Sequence, residues 1–290
     1  VTPDDARLIG ASDIGAIFQV SEWSGWISLW ARVVHGIQWG GNQATAEGLL
    51  SEGYHRALYS LHTGYALEGP PPAPLRHPLL PWARCSPDDT ALGTPDGRRG
   101  VELKQARRSL GWGAEGTDVV PLVYWLQVQM QGGFCTEVGH WDSPDVDVSV
   151  LLYGERRHYH VQHEPEAWER IQAACERFWV DFVVPQRCPE GANMRVLERD
   201  CEALAALFPE PAPKAEPLPW EALSDGQRSV VEKWLLANDA RAKWQSEEVA
   251  LGGQVRILLK DVPGLLLPDG RVDYKVTKAG RPLVARRSDT

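Results

Sequence analysis

Five prolines fall within the eleven residues from Pro209 to Pro219. Proline fixes φ and removes a backbone donor, so neither a helix nor a central strand can run through such a segment. The chain is thereby divided into a large domain over residues 1–208, a proline-rich linker over 209–219 and a C-terminal extension over 220–290. The first part is long enough to bury an apolar core without a disulfide or a structural metal. Its cysteines fit that view: Cys85, Cys135, Cys175, Cys188 and Cys201 are odd in number and include no Cys-x-x-Cys pair. Reduced thiols in a cytoplasm are expected, and neither a zinc nor an iron–sulfur site. The sequence has no long apolar run and no charged-then-apolar start, so no membrane span or export signal is predicted. A net charge of −9 excludes a chain that coats nucleic acid by bulk charge, so any such contact must be local.

Periodicity predicts α/β architecture. The first 40 residues read as helical, with Ser12 capping an apolar run at Ile14–Phe18 and a second helix over Trp26–Val34. Leu50, Tyr54, Ala57, Leu58 and Leu61 recur at helical spacing within Ala46–Thr63, before a stop at Gly64. Gly69–Pro81 is a loop. Trp82–Cys85 and Val101–Gln105 read as strands separated by the turns Ser86-Pro87-Asp88-Asp89 and Thr94-Pro95-Asp96-Gly97. A helix over Pro121–Gln131 follows, then strands at Glu137–Trp141, Val146–Tyr153 and His158–Gln162 and an amphipathic helix from Trp168 to Phe182. Beyond the linker, Ser224–Ala250 is expected to be helical and Leu265–Arg287 to form a hairpin turned at Pro268-Asp269-Gly270.

The chemistry is concentrated where Asp88 is followed thirteen residues later by Val101-Glu102-Leu103-Lys104. On a strand, Glu102 and Lys104 share one face while Val101 and Leu103 point the other way into the core. A turn brings Asp88 alongside. Two carboxylates beside an ammonium are what phosphodiester hydrolysis requires, with hard oxygen ligands for a divalent cation and a positive charge near the attacking water or the phosphate. Asp88 is the preferred ligand because it follows Ser86-Pro87, and Asp89 and Asp96 remain rivals. On a helical wheel anchored at Leu50, the apolar residues cluster on one side and Glu52 lies about opposite, with Tyr59 near it, so Glu52 is expected to face away from the core. Glu47 lies nearer the apolar edge and ranks lower. Gln127 and Gln129 stand two apart on a helix, so only one of them can serve a common site, with Tyr124 one turn before Gln127.

These motifs resemble the PD-(D/E)XK nuclease core, and more narrowly the YqaJ-like viral recombinase group that includes lambda exonuclease. Asp88 with Glu102-Leu103-Lys104 carries the resemblance. Arg7 to Ile14 resembles that family's opening motif, and Gly48-Leu49-Leu50-Ser51-Glu52, continuing to Tyr59 and Thr63-Gly64, resembles its helix bearing an acidic residue. Tyr124-Trp125-Leu126-Gln127-Val128-Gln129 resembles its tyrosine-and-glutamine helix. Four motifs in order over residues 7–185 are far more specific than one Glu-x-Lys. The resemblance implies a central mixed sheet flanked by helices and a Mg²⁺-dependent nuclease, with Mn²⁺ as the alternative metal. It implies metal binding by Asp88, Glu102 and the Leu103 carbonyl, with support from Glu52, and positioning or activation of water by Lys104. It also implies contact of Ser12 and Arg7 with a 5′-phosphate, and a place near the active centre for Tyr124 and for Gln127 or Gln129. Digestion of linear double-stranded DNA from 5′ to 3′, a homotrimer, a single-strand annealing partner and a phage or prophage origin are implied in the same way. An endonuclease on the same core and a non-catalytic DNA-end binder are the alternatives.

Local positive charge at Arg98, Arg99, Arg107 and Arg108 flanks the strand and supplies candidate phosphate contacts. Of the thirteen tryptophans, Trp23, Trp26, Trp30, Trp168 and Trp179 fall on apolar helical patterns and read mostly as core. Trp112, between two glycines in a loop, is the better candidate to touch bases. His158 and His160 alternate on a strand without a third ligand and read as structural. The basic end of the chain, from Lys275 to Arg287, is either a DNA contact or a solvated tail.

Overall fold

The computed structural model describes residues 3–38, 43–190 and 194–207, most of 219–244, and three strands between 264 and 287. The chain divides into two compact units, Val1–Pro213 and Lys214–Thr290. The first unit opens with the short helix α1 (Pro3–Ala6), a 3₁₀ turn at Ala11–Asp13, α2 (Ile14–Ile17), α3 (Trp26–His35) and the long α4 (Gln43–Thr63). There follow β1 (Ala66–Leu67), β2 (Leu75–Arg76), β3 (Arg84–Cys85), β4 (Asp89–Thr94), β5 (Gly97–Ala106), α5 (Leu122–Glu137), β6 (Val146–Leu152), β7 (Glu155–Val161), α6 (Pro165–Phe178) and α7 (Glu198–Leu207).

Five strands form one mixed sheet in the order β1-β4-β5-β6-β7. Its only parallel pair is β5 with β6, in register Glu102↔Val148 and Lys104↔Val150. A parallel pair requires a crossover, and α5 provides it. The fold is therefore mixed α/β, with a central mixed sheet and helices on both faces. β6 is buried along its whole length, as a strand covered on two sides must be. One face packs into the main core with Ile14, Leu29, Trp30, Met130, Phe134, Val148 and Ile171. On the other face Tyr59 of α4 packs against Ala91 and Val101, with Leu103 alongside.

Two segments depart from the periodicity. Glu137–Trp141 is not a strand, because α5 runs on to Glu137 and the chain then turns at Gly139, φ 72°. The small residues Gly132 and Gly133 within that helix let the crossover sit close to its neighbours. A Cβ on Gly132 would lie 2.0 Å from the Pro144 carbonyl oxygen. Ser12 also does not cap the following helix; it lies exposed within the 3₁₀ turn, and the Asp13 carboxylate accepts the Gly10 N–H at 2.7 Å instead.

In the second unit the described residues between 225 and 244 are helical. β8 (Gly264–Leu267), β9 (Gly270–Val276) and β10 (Pro282–Arg287) form an antiparallel sheet in the order β10-β9-β8. The expected hairpin thus carries a third strand, because the stretch 265–287 is interrupted twice rather than once. Most of the proline-rich linker lies outside the described residues.

Gly132→Ala is expected to destabilise the first unit by about 3 kcal/mol, since backbone rather than a flexible side chain blocks the new methyl. A urea titration followed by tryptophan fluorescence checks this; an unchanged midpoint would mean that α5 can shift away from Pro144 at little cost.

Candidate active site

Alternation along β5 turns Glu102 and Lys104 to the face covered by α5 and leaves Val101 and Leu103 on the α4 side. Glu102 is 2% exposed. A carboxylate buried to that degree must be compensated, and three donors do it. Gln127 Nε2 donates to Oε1 at 2.5 Å, Gln131 Nε2 donates to Oε2 at 2.6 Å, and Lys104 Nζ pairs with Oε1. Gln127 and Gln131 are four residues apart and share a face of α5. Gln129, two residues from each, turns away: its amide donates to the Gln162 carbonyl and accepts the Glu164 N–H. Of the two glutamines weighed from the sequence, the geometry brings only Gln127 to Glu102. Gln131 was missed, although its i+4 spacing from Gln127 was the available signal.

Asp88 sits in the bend immediately before β4, where its Oδ2 accepts the Leu103 N–H at 2.8 Å. Burial first and the neighbouring Glu102 second raise its carboxyl to about 7, against the opposing pull of Lys104 and that N–H. Burial opposes the Lys104 ammonium, but Glu102 and Asp88 outweigh it and hold the amine charged above the ordinary lysine range. The Tyr124 ring lies 5.0 Å from Lys104 Nζ and completes its surroundings as a cation–π partner. The rival aspartates are engaged elsewhere. Asp89 is fully buried, accepts the N–H groups of Gly69 and Thr90 and pairs with Arg56 at 3.0 Å. Asp96, at the hairpin tip, pairs with Arg99 at 2.7 Å.

Helix α4 overturns the wheel. Leu50, Tyr54 and Leu61 are exposed, while His55 and Tyr59 are buried. The sheet face under this helix is polar: His55 meets Ser149 Oγ at 2.9 Å, and Tyr59 donates to Asp147 at 2.6 Å. The hydrogen-bonded face turns inward and the apolar stripe outward. Glu52, three residues before His55, therefore lies on the inner side rather than away from it. Arg56 bridges it to Asp88, 3.8 Å from Glu52 Oε2 and donating to the Asp88 carbonyl at 2.9 Å.

The remaining candidates divide. Arg99 is buried and pairs with Asp147 and Asp96, and Arg98 pairs with Asp142. Arg107 pairs with Glu47, and it and Arg108 line a cleft beside Tyr124. Arg7 donates to the Val34 carbonyl at the end of α3, and Ser12 is exposed; no contact joins either to Glu102 or Asp88 among the described residues. Trp112 folds back between Tyr124 and Tyr159 and is 9% exposed, whereas Trp23, expected in the core, is 51% exposed. His160 Nδ1 donates to Asp147 Oδ1 at 2.8 Å, in keeping with a structural histidine.

Among the described residues no three His, Cys, Asp or Glu side chains stand close enough to hold a metal by themselves. The donor chemistry nonetheless suits a hard divalent cation. Asp88 and Glu102 are two carboxylates whose mutual repulsion lifts the Asp88 pKa, and the Leu103 carbonyl lies between Glu102 and Lys104 on the strand. Added positive charge is what such a pair lacks.

Because the folded-state pKa of Asp88 is raised, the protonated form stabilises the fold at low pH, and that stability is lost as pH climbs from about 4 through 7. In metal-free buffer, Asp88→Asn is expected to raise stability at pH 8 by on the order of 1–2 kcal/mol and to change it little at pH 4. Denaturant melts at the two pH values check this, and equal effects at both would remove the raised Asp88 pKa.

Residues 5–136 match the model of the YqaJ-like viral recombinase domain. No curated protein sequence matches the chain. Among solved structures, the chain is similar to an alkaline exonuclease, LHK-Exo, from Laribacter hongkongensis, with 15% identity over 62% of this chain and 90% of that one and a TM-score of 0.47. The complex of LHK-Exo with dAMP gives 15% identity over 63% and 91%, with a TM-score of 0.49. A phage related exonuclease from Haemophilus somnus 129PT gives 12% identity over 62% and 96%, with a TM-score of 0.44. The segment that carries Glu52, Asp88, Glu102, Lys104, Gln127 and Gln131 thus lies wholly within the match to the YqaJ-like viral recombinase domain.

Proposed function

We propose that the chain is a metal-dependent exonuclease that digests linear double-stranded DNA from 5′ to 3′ and leaves 3′ single strands for phage-type recombination. The observation that carries this reading is the convergence of Asp88, Glu102 and a charged Lys104 on one side of β5, with two glutamine amides holding Glu102. Asp88, Glu102 and the Leu103 carbonyl would hold Mg²⁺ or Mn²⁺, with Glu52 in support. Such a cation supplies Lewis-acid charge to the scissile phosphate.

The side chains divide the remaining work. Lys104 acts as a hydrogen-bond donor to the phosphate or the attacking water from its place beside Glu102. Gln127 and Gln131 fix the orientation of the Glu102 carboxylate, and the Tyr124 ring limits where the ammonium can go. Arg107 and Arg108 meet the DNA backbone near the site, and Ser12 and Arg7 meet the 5′-phosphate. Residues 1–208 form the nuclease domain and 220–290 an extension joined by the 209–219 linker. Assembly as a homotrimer and cooperation with a single-strand annealing protein belong to the same proposal.

Digestion of a 5′-phosphorylated linear duplex with Mg²⁺ tests it, beside EDTA, a covalently closed circle and Lys104→Ala. Mononucleotides are expected from the linear duplex alone, with none in EDTA and at least a hundredfold less from Lys104→Ala, the loss typical of a transition-state charge contact. Cutting of the closed circle would favour an endonuclease, and undiminished Lys104→Ala activity would remove the site assignment. Gln131→Ala is expected to lower the turnover number about tenfold, whereas Gln129→Ala lowers thermal stability with turnover preserved. Steady-state kinetics and thermal melts of both variants separate the two roles.

A further inference from the structure

A cleft of about 510 Å³ opens beside the N-terminal turn of α5, next to the carboxylate and lysine cluster. That volume is in the range of a site for a small organic ligand. Its lining includes the rings of Trp23, Trp112 and Tyr124 and the cations Arg107 and Arg108, with Glu22 and Glu47 as its carboxylates. Glu47 is paired with Arg107. The rings form a continuous series. Trp23 stacks on Tyr124 with centroids 6.5 Å apart and planes 25° apart, and Trp112 meets Tyr124 at 5.6 Å and 33°. Tyr124 in turn contacts the Lys104 ammonium.

Trp23 is the unusual member. It is half exposed, although indole is the largest side chain available for burial. It is also held in place, since the Ser21 hydroxyl accepts the backbone N–H groups of both Trp23 and Ser24, at 3.1 and 3.2 Å. A fixed, exposed indole beside paired cations is a platform for a flat aromatic group that is attached to a phosphate. Tyr124 touches both Trp23 and Lys104, so a strand whose phosphate meets the lysine runs past the ring series that the indole ends.

We propose that this cleft binds an unstacked base of the DNA strand being cut, with Trp23 as its stacking platform. The inference rests on the nuclease reading and adds a base subsite to it. Stacking on an indole tolerates every base, so the subsite orders the end of the strand without imposing sequence preference. Trp23 is here a substrate-contacting residue, while Trp112, buried behind Tyr124, supports the ring series.

The test compares 5′-phosphorylated linear duplexes that carry either a normal or an abasic nucleotide at the 5′ end, cut by the full chain with Mg²⁺. Wild type is expected to release the first nucleotide about tenfold more slowly from the abasic end. Trp23→Ala is expected to lose about tenfold on the normal end and nothing further on the abasic one, and Trp23→Phe to recover most of the difference. A Trp23→Ala variant that keeps the wild-type preference for a normal end overturns the proposal, as does a wild type that releases both ends equally. If wild type releases nothing from either duplex, the nuclease reading itself fails and the base subsite falls with it. A binding measurement in EDTA separates the two, using 2-aminopurine as the terminal base. Stacking on the indole should leave its emission several-fold lower with wild type than with Trp23→Ala, and equal emission from the two bound complexes would reject the platform irrespective of cleavage.

Discussion

The buried carboxylate of Glu102 is the constraint around which the first unit is organised. A carboxyl group that is 2% exposed must have its oxygens occupied, and Lys104, Gln127 and Gln131 occupy them. Two of these donors come from α5, so the crossover helix cannot rotate or slide without stripping a buried charge of its partners. The close approach at Gly132, one residue beyond Gln131, follows from the same demand. Structure and chemistry are therefore the same set of contacts: the bonds that fix α5 to β5 also fix the carboxylate in the orientation that a cation and a phosphate would meet.

The opposite face of the sheet obeys a related rule with a different outcome. Asp147 on β6 is almost fully buried and draws Tyr59, Arg99 and His160 to it. Its hydrogen bonds to His160 and Tyr59 and the charge of Arg99 outweigh burial and hold its carboxyl below the usual carboxylate range. Together with Ser149 it makes a polar floor, and α4 presents His55 and Tyr59 to it. The exposed Leu50, Tyr54 and Leu61 are the consequence, since a helix has one inner face and here hydrogen bonding selected it. The same rotation brings Glu52 and Arg56 toward Asp88, so a network on one side of the sheet positions groups at the edge of the site on the other.

Much of this was legible from residue order. The alternation Val101-Glu102-Leu103-Lys104 dictated a strand with two chemically distinct faces, and the two turns around Asp88 and Asp96 dictated its hairpin partner. Proline at position 121 marked the start of the crossover helix. Several points were beyond such reading. A helical wheel treats apolar residues as inward, and that assumption fails where the opposing surface is polar, as it is under α4. Trp112 read as free because glycines flank it, yet Tyr124 and Tyr159 enclose it, while Trp23 read as core and stands at the mouth of a cleft. Both errors arise because the environment of a loop side chain is set by residues far away in the chain.

What the sequence determined by itself was local: backbone periods of two and 3.6, turn chemistry at proline and glycine, and the presence of two carboxylates and a lysine at a spacing that one hairpin can close. What only the tertiary structure decided was which of several equivalent groups met. The contact of Asp88 with Leu103, the meeting of Gln127 and Gln131 rather than Gln129 with Glu102, and the inward face of α4 all depend on which buried polar groups find partners across the fold. That requirement acts between segments distant in the chain, so no window of sequence contains it.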